Sequence, residues 1–354
     1  MRRTLRGRIF ALAAGVLVML AIAEAIIRVA LPHWREFHSG WFIQTAVVPG
    51  HGAFALGVPG FDGYFAQNNG DFRVRIAINA FGLRNDEPIE AADKRVWIVG
   101  DSMAFGWGVD RNETYTAEIA RQTSVPTYNV ASPGTNVCGY QGLIARMPKT
   151  LTPKAVIVGV VIENDLSPVA CREWSQETER IAAAGGPSWG ESFQSLITAK
   201  RSISREIALY NVLALSIKRI DSLTHALQMT GLVAEDQPYR RQLQDADVTR
   251  AIENTADELA VLRSMLPLAM PVAVMLAPAR FEVRDEDPFF TKLRTEMRDA
   301  LTARGFPVID PLEKFRAAGF APTHFVHDGH WSAVGHRLAA EAAAGWVTQV
   351  TAPK

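Results

Sequence analysis

An α/β fold, with helices on both sides of a parallel sheet, is what this sequence predicts, and two observations carry the prediction. From position 96 onward, short continuous apolar runs recur at 96–99, 128–131, 155–162, 272–276 and 306–309. Runs of this length, bounded by Gly, Pro and polar residues, suit strands buried on both faces. Helical stretches lie between them, among them 114–122, 246–265 and 289–303. Strand and helix in alternation imply parallel pairing with helices above and below the sheet.

The remaining chain is organised around that unit, which is expected over 95–350. At 354 residues, 48% apolar and 21% charged, the chain has the composition of a folded protein with one large domain and additions. Lys+Arg and Asp+Glu both number 37, so the formal charge is zero. A nucleic-acid binder would need a basic surplus to neutralise phosphates, and that class is set aside.

Residues 1–31 read as a membrane anchor. Arg2, Arg3, Arg6 and Arg8 precede a charge-free run over 9–23, and apolar character resumes after Glu24 up to Pro32. The charge-free part is short for a span of ~20 residues, but continuing to Leu31 suffices. Glu24 and Arg28 are then one turn apart near the outer end, where they can pair. Arginines before the run place the N-terminus in the cytoplasm and the remainder outside, as in a single-pass inner-membrane protein with a periplasmic or extracellular domain. A cleaved signal peptide is the competing reading, because Ala21-Ile22-Ala23 resembles a small-x-small cleavage site. The apolar stretch continuing past that site favours an uncleaved anchor, and either reading exports the domain.

Residues 32–94 form a pre-domain segment. Phe72, Val74, Ile76 and Ile78 alternate with Arg73, Arg75 and Ala77 at the period of a half-buried strand. Residues 79–84 read as a turn leaving it, and the glycine-rich stretch 49–70 as irregular surface. Residues from about 171 to 245 interrupt the strand–helix rhythm and read as a helical insertion between the sheet's third and fourth strands. A helical pattern lies near 203–220. Loops at the strands' carboxyl ends frame the ligand crevice of such sheets, so the insertion is placed to shape access, with Trp174 and Trp189 as a possible sugar-stacking wall. Ordinary helical packing is the plainer role for both.

Four blocks carry chemistry. In Gly100-Asp101-Ser102 a buried strand ends in a tight turn that brings a hydroxyl to the sheet's carboxyl edge. A serine there can have its oxyanion stabilised by its own backbone N–H. Asn129 to Asn136 is a second strand-to-loop passage, with Gly134 permitting close backbone approach to a ligand. Glu163-Asn164-Asp165 follows the third strand and puts an amide at the same edge. Far along the chain, Asp328 stands two residues before His330, as an imidazole needs a carboxylate to fix its tautomer. Taken singly, a turn serine, a turn glycine and a capping asparagine are ordinary features. Jointly and in this order they supply every part that acyl transfer needs.

Four of the eight histidines fall between His324 and His336, a density that also invites a metal reading. With two cysteines and no two-His helical zinc spacing, metal stands behind the Ser–His arrangement, and no metal or other cofactor is expected. His324 and His327 read as loop residues, and His336 as a packing or hydrogen-bonding residue at the start of the last helix. Cys138 and Cys171 follow the second and third blocks. In an oxidising compartment they can pair at the rim of the site, and two free buried thiols are the equal alternative.

Gly100-Asp101-Ser102, Gly134, Asn164 and Asp328/His330 resemble, in order, the Ser, Gly, Asn and His blocks of the SGNH/GDSL hydrolases. The similarity runs over about 70–345. The strings GDSMAFGWGV, IENDL and HDGHWSAVGHRLAAE look like its exported bacterial branch, which includes alginate-type O-acetyltransferases acting on cell-surface polysaccharides. The resemblance implies a three-layer α/β/α, flavodoxin-like fold with Ser102 as nucleophile and His330 as general base, partnered by Asp328. It assigns the oxyanion hole to the Ser102 and Gly134 N–H groups and the Asn164 side chain. Many members space the last pair Asp-x-x-His. Asp328-Gly329-His330 is one residue shorter and resembles the polysaccharide acetyltransferases. The expected activity is hydrolysis of O-acyl, chiefly acetyl, esters. Transfer of acetyl to a cell-surface polysaccharide beside its biosynthetic machinery is the alternative. A silent, membrane-tethered glycan-binding or scaffold protein is the non-enzymatic one.

Overall fold

The structure, a computed structural model, describes residues 2–37, 41–67, 70–184, 206–218, 229 and 245–352. The chain opens on a 29-residue helix, α1 (Arg2–Ala30). Its part Gly7–Ala30 has a mean hydropathy of 2.5 and none of it is buried in the protein. Among the described residues it is the one helix long and apolar enough to cross a membrane, compatible with an anchor or a signal sequence. After a 3₁₀ turn at Trp34–Phe37 come two antiparallel hairpins, β1 (Ile43–Val48) with β2 (Gly52–Gly57), and β3 (Asp62–Ala66) with β4 (Arg73–Ala77).

The α/β unit follows. Its first half runs β5 (Val96–Gly100), α2 (Ser102–Phe105), α3 (Tyr115–Thr123), β6 (Thr127–Ala131), α4 (Val137–Arg146) and β7 (Ala155–Val161). Next come α5 (Cys171–Ala183) and α6 (Ala208–Lys218), in the region read as an insertion. The second half holds α7 (Asp245–Ser264), β8 (Val272–Ala277), α8 (Arg280–Arg284), α9 (Pro288–Ala303), β9 (Val308–Ile309), α10 (Leu312–Ala318), α11 (Phe320–Thr323) and α12 (Ala333–Thr351).

The five strands β5 to β9 are all parallel and lie in the order β6-β5-β7-β8-β9, which is the flavodoxin-like order 2-1-3-4-5. Alternation along each strand feeds two cores. Trp97, Val99, Val156 and Val158 face α4, α7 and α9 through Leu143, Leu259 and Met297. Val96, Ile98, Ile157 and Met275 face α3 and α12 through Tyr115, Ile119, Ala339 and Ala343. Each fully buried Val or Ile of this kind contributes ~1.5–3 kcal/mol. The result is the three-layer α/β/α sheet, with the carboxyl ends of β5, β6 and β7 on one edge. The strand order reverses between β5 and β7, the position at which open α/β sheets place their ligands.

The stretch 49–70 is not irregular surface. It contains the fully buried strand β2, with Phe54 and Leu56 in the first core, and β3, whose Phe65 joins the second. Two of its glycines, Gly52 and Gly57, misled because they sit where close packing requires them. A Cβ on Gly52 would come within 2.5 Å of the Trp174 ring and 2.7 Å of Thr178 Oγ1. The expected strand around residues 72–78 is β4, and Asn79 Oδ1 accepts the Phe81 and Leu83 N–H groups to close the turn after it.

Helix α5 lies against β2, where Thr178 Oγ1 accepts the Ala53 N–H (2.9 Å) and Glu179 accepts those of Gly50 and Gly52. Trp174 is thereby committed to packing on the hairpin rather than forming a sugar-stacking wall. Trp189 lies outside the described residues. Cys138 at the start of α4 and Cys171 at the start of α5 are bonded, with Cα atoms 5.0 Å apart. The open choice between bridge and free thiols is thus settled as a bridge, closing a loop over a separation of 33 residues.

Two imidazoles are locked in the second core. His336 Nδ1 accepts the Tyr115 N–H (3.2 Å), and His324 Nδ1 meets Thr323 Oγ1 at 2.9 Å. His324 is thus a loop residue, as read, but a buried one. Burial pushes both pKa values down from 6.5 to about 3. A depressed folded pKa means the stabilisation is complete above pH 6.5. It is lost as pH falls toward 3, because the unfolded chain takes up protons that the native state refuses. The melting temperature should therefore decline over that window. In His336→Gln the decline should be shallower, since one of the two protons no longer differs between states. An unchanged slope would mean that other groups govern acid unfolding.

Candidate active site

The site is assembled at the carboxyl edge of β5, β6 and β7 and completed by the loop before α12. β5 ends at Gly100, and Asp101 caps the one-turn helix α2 by accepting the Met103 N–H at 2.9 Å. This sharp turn lifts Ser102 to the sheet edge. The other oxygen of Asp101 receives the Asn164 side-chain amide (3.3 Å) and lies 3.4 Å from Ser102 Oγ. One buried carboxylate thus ties the end of β5 to the end of β7. Burial raises the pKa of Asp101, against the lowering effects of the Met103 N–H, the charge of His330 and the Asn164 amide.

The loop 324–331 brings in the imidazole. A bridge between His324 and Trp331 closes it, with the Phe325 N–H donating to the His330 carbonyl at 2.8 Å. His330 Nε2 lies 2.8 Å from Ser102 Oγ, while its Nδ1 is hydrogen-bonded to Asp328 Oδ1. Ser102, His330 and Asp328 therefore form a continuous line. Burial alone would depress the His330 pKa, but the charge and hydrogen bond of Asp328, with Asp101 behind, raise it. The Asp328 pKa is lowered, the charge and hydrogen bonds of His330 outweighing burial. Such a line can take a proton from Oγ to Nε2 and hold the resulting imidazolium.

The short Asp-Gly-His spacing has a local cause. Gly329 adopts φ +84°, and a Cβ there would press to 2.8 Å of the Arg280 side chain beneath it. Arg280 is in turn held by Glu163 at 2.6 Å. Gly134 has φ +72°, and a Cβ on it would meet nothing within 4 Å, so its backbone borders open space at the end of β6. The loop after β6 is fastened by Ser132 Oγ donating to the Ala55 carbonyl at 2.7 Å and by Asn136 capping α4.

Several supporting residues had no signal in the sequence. Gln67, in the turn between β3 and β4, donates its amide N–H to Asp328 Oδ2, the oxygen that His330 leaves free. Asp71 accepts the N–H groups of His327 (3.0 Å) and Asp328 (2.9 Å) and pairs with His327 Nδ1 at 2.7 Å. The Trp107 ring stacks on His330 with centroids 5.6 Å apart. Trp107 is backed by Phe42 and Phe65. Arg84, 1% exposed, staples the loop carrying Trp107 by donating to the Gly106 and Val109 carbonyls. Burial lowers its pKa to about 10, so it stays charged at neutral pH. The pre-domain segment is therefore part of the site. His327 sits on the loop, as read from the sequence, and among the described residues no three His, Cys, Asp or Glu side chains converge as a metal would require.

No protein-family model matches the chain, and no curated protein matches it. Among solved structures it is similar to a lipolytic protein of the G-D-S-L family from Veillonella parvula, with 12% identity and a TM-score of 0.40, over 72% of this chain and 99% of that one. It is also similar to a lipase/acylhydrolase from Enterococcus faecalis, with 14% identity and a TM-score of 0.41, over 73% and 98%. A carbohydrate esterase family 2 enzyme with a carbohydrate-binding domain from Corynascus thermopiles shows 13% identity and a TM-score of 0.40, over 73% and 66%. At these values the likeness is one of overall architecture, and the chemistry is read from this chain's own geometry.

Two measurements address the support of His330. Gln67→Leu keeps volume but removes a hydrogen bond to a charged group worth ~1.5–3 kcal/mol, so the melting temperature should fall by a few degrees and turnover by about 10-fold or more, with KM little changed. Equal turnover would mean that Asp328 is held without Gln67. In Asp328→Asn the opposing charge is gone, so burial should carry the His330 pKa downward. The acid limb of kcat/KM should then move to lower pH than in the parent, where Asp328 raises the His330 pKa.

Proposed function

We propose that this chain is a serine-dependent enzyme of acyl esters, anchored by α1 and acting outside the cytoplasm. The observation that carries the reading is the 2.8 Å contact between Ser102 Oγ and His330 Nε2, with Asp328 on the opposite ring nitrogen. As Oγ attacks an ester carbonyl, His330 takes its proton and Asp328 stabilises the imidazolium. The tetrahedral oxyanion is received by the N–H groups of Ser102 and Gly134 and by the Asn164 amide, each placed at the same strand edge. His330 then protonates the departing alcohol, leaving an acyl group on Ser102. Discharge follows when His330 deprotonates the acceptor.

The main reading takes water as that acceptor, which makes the enzyme an esterase for small O-acyl, chiefly acetyl, groups. The Asp-Gly-His spacing, kept by Gly329 over Arg280, favours a second reading, in which a hydroxyl of a cell-surface polysaccharide receives the acyl group. Water is present at ~55 M, so a sugar prevails only through positioning, for which effective molarities of ~10⁵ M or more suffice. The cleaved-signal alternative for α1 leaves either chemistry unchanged.

A fluorophosphonate should label the wild-type chain at Ser102 and leave Ser102→Ala unlabelled though folded; no labelling of the wild type would favour a silent binding or scaffold protein. Asn164→Ala should lower turnover by ~100-fold, the loss of one donor worth ~3 kcal/mol. Incubation with an acetyl donor and a panel of oligosaccharides, followed by mass spectrometry, separates the two acceptors. Acetylated sugar supports transfer, and acetate alone supports hydrolysis.

A further inference from the structure

Glu24 and Arg28 are the only charged residues between Ile9 and Leu31. Glu24 does more than pair with Arg28 Nε (2.7 Å): its two carboxylate oxygens accept the backbone N–H groups of Ala208 (3.0 Å) and Leu209 (2.7 Å). Those are the first two N–H groups of α6, and Arg28 Nη2 completes the joint by donating to the Glu206 carbonyl at 2.6 Å. The N-terminus of α6 is thus fastened to the last turns of α1, far from it in sequence. A carboxylate within a bilayer is expensive, of order +2.5–3.5 kcal/mol at the centre. Here it is matched by one guanidinium and by the positive end of a helix.

Helix α6 has the composition for that depth. It reads ALYNVLALSIK, without an acidic residue and with its one cation at the end. Ile207, just before it, and Leu213 are 38% and 51% exposed, beside a helix that exposes Ile22 at 55% and Ile26 at 60%. In the sequence Arg201 and Arg205 precede it and Arg219 follows it. Eleven residues are too few to span a bilayer, which takes ~20. An apolar helix of this length flanked by cations suits the boundary between headgroups and acyl chains. We infer that α6 lies in the outer lipid interface beside α1, giving the chain a second membrane contact whose partner is the bilayer itself. The inference rests on α1 being a retained span. Its consequence is that the chain at α6 is held at the membrane surface.

Both native cysteines are used in the Cys138–Cys171 bridge, so a single introduced cysteine can carry a nitroxide label. The full chain would be reconstituted in vesicles of phosphatidylcholine and phosphatidylglycerol, labelled in turn at Val18→Cys in α1, Leu213→Cys in α6 and Leu268→Cys, which is fully exposed before β8. Relaxation by oxygen, which partitions into lipid, is compared with relaxation by a water-soluble nickel chelate. Oxygen should dominate at positions 18 and 213 and the chelate at 268. Ile207→Cys repeats the test should Leu213→Cys not fold. Chelate dominance at both α6 positions with oxygen dominance at 18 overturns the inference alone. Chelate dominance at 18 defeats the anchor reading and the inference with it. A label at 213 reached by neither reagent would show a protein neighbour on this face, and also overturns it.

Discussion

Asp101 is the group on which the geometry of the site depends. It is a buried carboxylate at the point where the strand order reverses, and each of its contacts belongs to a different part of the site. One oxygen sets the turn that raises Ser102, and the other receives the Asn164 amide and lies near the Ser102 hydroxyl. The Asn164 amide and the Ser102 hydroxyl are therefore registered to each other through one side chain rather than through the flexibility of two loops. Burying such a group without partners would be costly, and its set of donors is what makes the position tenable. Preorganisation of this kind is what electrostatic catalysis requires, because donors fixed before reaction need not reorganise during it.

The second constraint comes from outside the sheet. The loop 324–331 rests on the α/β unit through Arg280 beneath Gly329, and the β3–β4 hairpin supplies its other support. Gln67 takes the free oxygen of Asp328, Asp71 takes two successive N–H groups, and Phe65 with Phe42 backs the Trp107 ring against His330. A carboxylate with both oxygens engaged cannot swing away from its imidazole. The same segment secures the loop after α2 through Arg84, whose charge is met by carbonyl dipoles instead of a carboxylate. What looks in sequence like a leader to the domain is, in space, one wall of its site.

How much of this was legible follows from the range of each interaction. The five central strands were readable because a strand buried on both faces is a continuous apolar run, a property of consecutive residues. Gly-Asp-Ser and Asp-Gly-His were readable as short patterns at strand and loop ends, and Ser102, His330 and Asp328 do stand within hydrogen-bonding reach. Strand β2 was not legible, because its bounding glycines look like surface punctuation, whereas Gly52 serves contact with Trp174 and Thr178 more than 100 positions later and Gly57 fits against Ile78 and the Gly82 carbonyl. Nothing near Gln67 announces a partner 261 residues away. The shortened Asp–His spacing could be noticed but not explained until Arg280 was seen under Gly329. Periodicity reports burial; it does not report which distant side chain does the burying.

That 261-residue separation has a consequence for synthesis. The turn bearing Gln67 leaves the ribosome long before Asp328 and His330 exist. At ~5–20 residues per second the interval is roughly 13–50 seconds. Through that time the strands can begin to pair, yet no imidazole faces Ser102. In an unfinished chain Ser102 therefore lacks the imidazole that lies 2.8 Å from it in the finished fold. The line of Ser102, His330 and Asp328 closes only with the last loop, after nearly all of the protein has been made, and a prematurely terminated product cannot form it.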